Sequence, residues 1–90
     1  MVAHVFISGF VQGVGFRRFV KHQALKLGLT GWVKNLADNR VEAVFSGPKE
    51  QIEKIASVCK KGSFFSEVKD LRVEWENQMT ESFTSFDILH

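Results

Sequence analysis

An α+β fold of the split βαβ, ferredoxin-like kind is predicted for this 90-residue chain, with two helices packed on one face of an antiparallel sheet. Two observations predict it. The hydrophobic period switches between two and about 3.6 residues in the order strand, helix, strand, strand, helix, strand, with a short strand added at the end. Turn-forming residues fall at the switches: Gly13 and Gly15, Gly28, Asp38-Asn39, Gly47-Pro48 and Gly62. Size agrees, because one domain spanning residues 1–90 is all that such a length supports. A domain this small buries only about 60–65% of its unfolded surface, so function is expected at the surface or in a loop.

Val2–Phe10 reads as the first strand, since Ala3, Val5 and Ile7 alternate with His4, Phe6 and Ser8. From Phe16 the period lengthens. Phe16, Phe19, Val20, Ala24 and Leu27 share one helical stripe, interrupted only by Gln23, and Gly28 stops it. Residues 30–36 and 41–46 read as antiparallel neighbours joined by a hairpin that turns at Asp38-Asn39. Pro48 suits the first turn of the second helix, where its missing N–H costs little. Ile52, Ile55, Ala56 and Cys59 supply that helix's apolar stripe, and Lys60, Lys61 and Gly62 close it. After Ser63-Phe64-Phe65-Ser66, residues 68–76 alternate Leu71, Val73 and Trp75 against Arg72 and Glu74, a fourth strand. Residues 77–82 are polar and turn-like, and residues 83–89 form the last strand.

The composition, 44% hydrophobic and 24% charged, excludes a disordered chain. Twelve basic against ten acidic residues leave a net charge of +2, too balanced to argue for nucleic acid or an anionic membrane. The single Cys59 can make neither an internal disulfide nor a multi-cysteine zinc site, so a reducing compartment is expected. No run approaches the about 18 apolar residues of a membrane span, and residues 1–10 alternate instead of forming the apolar stretch of a signal peptide. A soluble cytoplasmic protein follows.

The unusual stretch runs from Gly9 to Arg17, Gly-Phe-Val-Gln-Gly-Val-Gly-Phe-Arg, between the first strand and the first helix. Glycines there allow positive φ and close backbone approach, and successive N–H groups at a helix start can cradle an anion. Arg17 adds a planar fork of donors that matches two phosphate oxygens. The bare pattern equally marks a tight strand-to-helix connection. It is not a P-loop, because no Gly-Lys-Ser/Thr closes it, and it lacks the dinucleotide spacing, so ATP and NAD are poorly supported. Asn35, at the end of the second strand, reads either as a turn former or as part of a site with the glycine loop.

Val11-Gln12-Gly13-Val14-Gly15-Phe16-Arg17, followed by Leu27-Gly28-Leu29-Thr30-Gly31-Trp32-Val33-Lys34-Asn35, resembles the paired signatures of the acylphosphatase family. Val41-Glu42 and Ser46-Gly47 extend the likeness over essentially the whole chain. The resemblance implies hydrolysis of acyl phosphates to carboxylate and inorganic phosphate, the latter as product or inhibitor. It implies that Arg17 binds the phosphoryl group, that Asn35 orients the attacking water, and that a substrate oxygen takes the water's proton. The backbone amides of Gln12, Gly13, Val14, Gly15, Phe16 and Arg17 would surround the phosphate oxygens, with no metal or cofactor and a monomeric protein. Two departures stand out. Asp38-Asn39 occupies a hairpin that is commonly Asp-Gly in the family, and Leu36 stands where some relatives carry a hydroxyl residue.

A non-catalytic module that binds phosphate or an acyl phosphate through the same loop is the alternative. RNA binding on an open sheet is disfavoured, because Phe45 is the only aromatic on the third strand. His4, His22 and His90 fall on a strand, a helix and the terminus without metal-ligand spacing. Cys59 reads as a small buried hydrophobe, and Phe64-Phe65 as core material in a domain with nine phenylalanines, with an exposed binding patch as the alternative.

Overall fold

Strict alternation along β1 (Val2–Phe10) removes Ala3, Val5 and Ile7 completely from solvent and leaves His4, Phe6 and Ser8 half-buried. The structure, a computed structural model, describes residues 1–76 and 83–90; the turn predicted over residues 77–82 lies outside them. The remaining elements are α1 (Phe16–Lys26), β2 (Thr30–Asn35), β3 (Val41–Ser46), α2 (Lys49–Lys61), β4 (Glu67–Glu76) and β5 (Phe86–Leu89). They form one five-stranded sheet in the order β4-β1-β3-β2-β5. Among the described residues no helix is long and apolar enough to cross a membrane.

Both helices cover one face of this sheet, as predicted. Phe16, Val20 and Ala24 of α1 and Ile52, Ile55 and Cys59 of α2 join Val5, Ile7, Val33, Ala43 and Phe45 in the core. Helix α1 ends in a Schellman motif: Leu29 N–H reaches the Ala24 carbonyl at 2.9 Å and Gly28 N–H that of Leu25 at 3.2 Å. Helix α2 starts one residue later than predicted. Pro48 is its N-cap, with extended φ −62° and ψ 140°, and its carbonyl accepts the first helical bonds from Gln51 and Ile52.

The sheet is mixed, whereas the sequence suggested a wholly antiparallel one. Four strands are antiparallel neighbours, but β5 pairs parallel with β2, Gly31 opposite Phe86 and Lys34 opposite Leu89. Chain direction is the reason. β4 finishes beside Val2, at the end of the sheet where β2 begins, and a strand running back from that end along the free edge of β2 must be parallel to it. β5 is also shorter than predicted, and its first backbone bond is from Gly31 N–H to the Ser85 carbonyl. β2 stops at Asn35, because Leu36 already belongs to the hairpin turn, its N–H bonded to the Arg40 carbonyl at 2.8 Å. Asn39 adopts φ 73°, so asparagine does hold the left-handed position of that turn.

Gly31 lies in register between Phe45 and Phe86, whose rings stack with centroids 5.6 Å apart. At φ 137° a Cβ there would run into the Val44 carbonyl. On the other face Phe6 is covered by the guanidinium groups of Arg40 and Arg72. Phe64 and Phe65 are not core. They are 93% and 70% exposed at the turn between α2 and β4, because that turn carries them past the end of the helix layer.

Two outcomes check this packing. Gly31→Ala lowers unfolding free energy by at least about 2 kcal/mol in urea titration, through backbone strain and overpacking. Cys59 is fully buried and desolvation pushes its thiol up to about 12. A thiol reagent at about pH 8 therefore labels it only as the chain unfolds, so that labelling follows the unfolding curve.

Candidate active site

The register rows of the sheet place Asn35 beside Val41 and Ile7, on the helix-covered face at the end where β1 delivers its following loop. That loop, residues 11–15, is anchored by Val11, 1% exposed, and by Phe16 at the helix start, also 1% exposed. Gly13 and Gly15 hold left-handed φ of 77° and 76°, and a Cβ at either would meet only open space. Conformation, not crowding, demands glycine at both positions.

Gly15 is the N-cap of α1, and no side chain caps the helix. Its carbonyl accepts from Phe19 N–H at 3.0 Å, so the N–H groups of the first turn have no intrahelical acceptor. The first turn contains no acidic residue and instead carries Arg17 and Arg18. Cations are disfavoured at that end of a helix dipole. A bound anion would offset both the dipole and the two guanidinium charges.

Gly13, Gly15, Phe16, Arg17 and Asn35 line one cleft of about 380 Å³. Of the remaining predicted site residues, Val14 packs against the core. Gln12 turns its side chain toward the hairpin. Its amide nitrogen donates to the Leu36 carbonyl at 2.8 Å and to the Arg40 carbonyl at 2.9 Å. Arg40 in turn donates its N–H and guanidinium to Asp38, and this backbone bond first, then the side-chain bond, hold the Asp38 carboxyl below the usual carboxylate range. That contribution is present above the ordinary Asp range and is lost as pH falls through the depressed value.

Asn35 Oδ1 is buried and, among the described residues, accepts no hydrogen bond. Unpaired buried acceptors are uncommon, since each costs about 1–3 kcal/mol. Arg17 donates from Nη1 to the Leu89 carbonyl at 3.1 Å and lies 3.4 Å from His90 Nδ1.

Arg18, Ile88 and His90 also line the cleft, and sequence reading assigned none of them. Period-two alternation groups Phe86, Ile88 and His90 on one face, but the strand they pair with was not readable from it. Among the described residues, no group of three or more His, Cys, Asp or Glu could hold a metal ion.

A family model described as Acylphosphatase matches residues 3–88. An acylphosphatase of Pelotomaculum thermopropionicum is 46% identical over 86 residues, covering 96% of this chain and 92% of the relative. The crystal structure of acylphosphatase from Bacillus subtilis is similar at a TM-score of 0.94 and 40% identity, covering 100% of both chains. An acylphosphatase structure from Coxiella burnetii gives 0.89 at 35% identity, covering 98% of this chain and 90% of that one. The chain belongs to the acylphosphatase family and is therefore a hydrolase.

Gln12→Leu tests the support of the site. The two carbonyls keep one backbone donor each, from Asn39 and Leu36, so the stability loss is about 1–2 kcal/mol. The loop loses its tether to the hairpin, and turnover falls by a larger factor than stability alone explains.

Proposed function

We propose that this chain hydrolyses the carboxyl-phosphate bond of acyl phosphates by direct attack of water, with Arg17 gripping the phosphoryl group and Asn35 orienting the nucleophile. The observation that carries the reading is Asn35 Oδ1: a buried acceptor with no partner among the described residues, on the same cleft as Arg17 and the glycine loop. An oxygen so placed suits a water hydrogen.

The charge on the transferring phosphoryl oxygens is met by the Arg17 guanidinium and by the backbone amides of residues 12–17. An amide is too weak a base to deprotonate water, so a phosphoryl oxygen of the substrate accepts that proton. The carboxylate leaves without a strong general acid, because an acyl phosphate is already activated. Inorganic phosphate then occupies the same cleft as product and competes with substrate. Stabilisation runs through these groups and asks nothing of a metal.

With benzoyl phosphate as substrate, Arg17→Ala lowers kcat/KM by about 10³-fold, through both KM and kcat. Asn35→Ala lowers kcat by about 10²–10³-fold and leaves KM within a few-fold. Activity persists in excess EDTA. Phosphate binding without hydrolysis above the spontaneous rate would instead identify a binding module, and unchanged kcat in Asn35→Ala would remove that residue from the mechanism.

A further inference from the structure

His90 reaches the phosphoryl cleft from the far edge of the sheet, and the mechanism above does not use it. The parallel run of β5 delivers it there, beyond Leu89, which pairs with Lys34 next to Asn35. Its ring lines the cleft together with Gly13, Gly15, Arg17 and Asn35, and its Nδ1 lies 3.4 Å from Arg17 Nη1. A guanidinium only donates hydrogen bonds, so this contact requires Nδ1 to carry a lone pair, that is, a neutral imidazole. Once protonated, both ring nitrogens are donors and the contact with Arg17 turns repulsive.

Among the described residues, the cleft lining brings no acidic side chain to that second cation; the acid on its own residue is the main-chain carboxylate of His90. From α1, Arg17 and Arg18 face the cleft; the loop contributes Val11, Gly13 and Gly15, and β2 contributes the uncharged Asn35. On β5 itself Ile88 is apolar, and Asp87 is engaged with the Ser85 hydroxyl at 2.8 Å in register with Trp32. Lys34, opposite Leu89, is turned to Glu42 and to the Trp32 ring. A dianion in the cleft is thus a partner that no lining side chain replaces in relieving an imidazolium there.

We infer that His90 is an additional anion-binding residue with two roles set by its proton. When neutral, it accepts a hydrogen bond from Arg17 and steadies the guanidinium; when protonated, it donates to the bound phosphoryl oxygens as a further cation. This rests on the phosphoryl-site reading given above. By linkage, a dianion that prefers the protonated ring must take up a proton when it binds, and must bind more tightly at low pH. A unit charge several ångströms from a dianion in a solvent-rich cleft corresponds to about three- to tenfold in affinity.

Sulfate is the probe, because it stays a dianion across the range in which histidine titrates. Calorimetric titration of the full chain with sulfate is compared at about pH 5.5 and about pH 8, in buffers of different ionisation enthalpy, for wild type and His90→Gln. The expected result is about three- to tenfold tighter binding at the lower pH with proton uptake in wild type, and loss of both in His90→Gln. His4 and His22 are present in both proteins, so the difference between the two isolates His90. A pH response and proton uptake as large in His90→Gln as in wild type, or missing from wild type, overturn the role of His90 and leave the phosphoryl site standing. Failure of wild type to bind sulfate at either pH overturns both.

Discussion

Two hydrogen bonds from the Gln12 amide, to the carbonyls of Leu36 and Arg40, hold the site in register. The loop over residues 11–15 belongs to neither a strand nor a helix, and its own ladder ends at Phe10. Asn35 immediately precedes Leu36. The same side chain therefore sets the separation between the glycine loop at the start of α1 and the Asn35 amide. A bidentate clamp fixes both distance and orientation, which one bond would not. Val11 and Phe16, both buried, pin the two ends of the loop beneath it. Long arms of structure are not needed when one glutamine spans the gap.

The rest of the sheet serves the same end. Register puts Ile7, Val41 and Asn35 in one row at the top of the helix-covered face, above the layers of Val5, Ala43 and Val33 and of Ala3, Phe45 and Gly31. Gly31 keeps the lowest row flat enough for the Phe45–Phe86 stack, and that stack seats β5 against β2. β5 then carries the Leu89 carbonyl to Arg17 at 3.1 Å. An antiparallel β5 would have left that carbonyl at the opposite end of the sheet. The stacked phenylalanines and the arginine are thereby connected, although they lie at different ends of the core.

The site is also where the chain departs from its most stable arrangement. Among the described residues, a helix start without a side-chain cap, two arginines in the first turn, two left-handed glycines and a buried Asn35 oxygen without a donor each cost free energy. Elsewhere the same chain follows the ordinary rules: a Schellman motif ends α1, lysines close α2, His4 Nε2 lies 2.8 Å from a Glu76 carboxylate oxygen, and an ion pair joins Lys34 to Glu42. Concentrating the unfavourable features at one end of one sheet is what a functional site of this size requires. A 90-residue domain has little interior with which to enclose a cavity, and its candidate cleft sits where backbone amides are left free at a helix start.

Local rules were enough to read most of this from the sequence. Strand and helix periods follow from which residues must face a core, and all seven elements emerged within a few residues of their observed bounds. The glycines of the loop and Arg17 are legible as an anion cradle because strand, turn and helix start are local, whereas Asn35, 18 residues further on, reads equally as a turn former and takes its role only from the resemblance to the acylphosphatase signatures. What could not be read depends on pairs far apart in sequence. The parallel pairing of β5, the reach of Gln12 to a hairpin 24 and 28 residues away, and the arrival of His90 beside Arg17, 73 residues apart, all follow from how strands are ordered in the sheet. Burial of the phenylalanines divides in the same way. Phe64 and Phe65 have the composition of core residues, yet the turn after α2 carries them into solvent. Sequence determines which face of each element is apolar; only the packed sheet decides which elements meet, because hydrophobic burial is non-directional and strand order is settled by the whole chain.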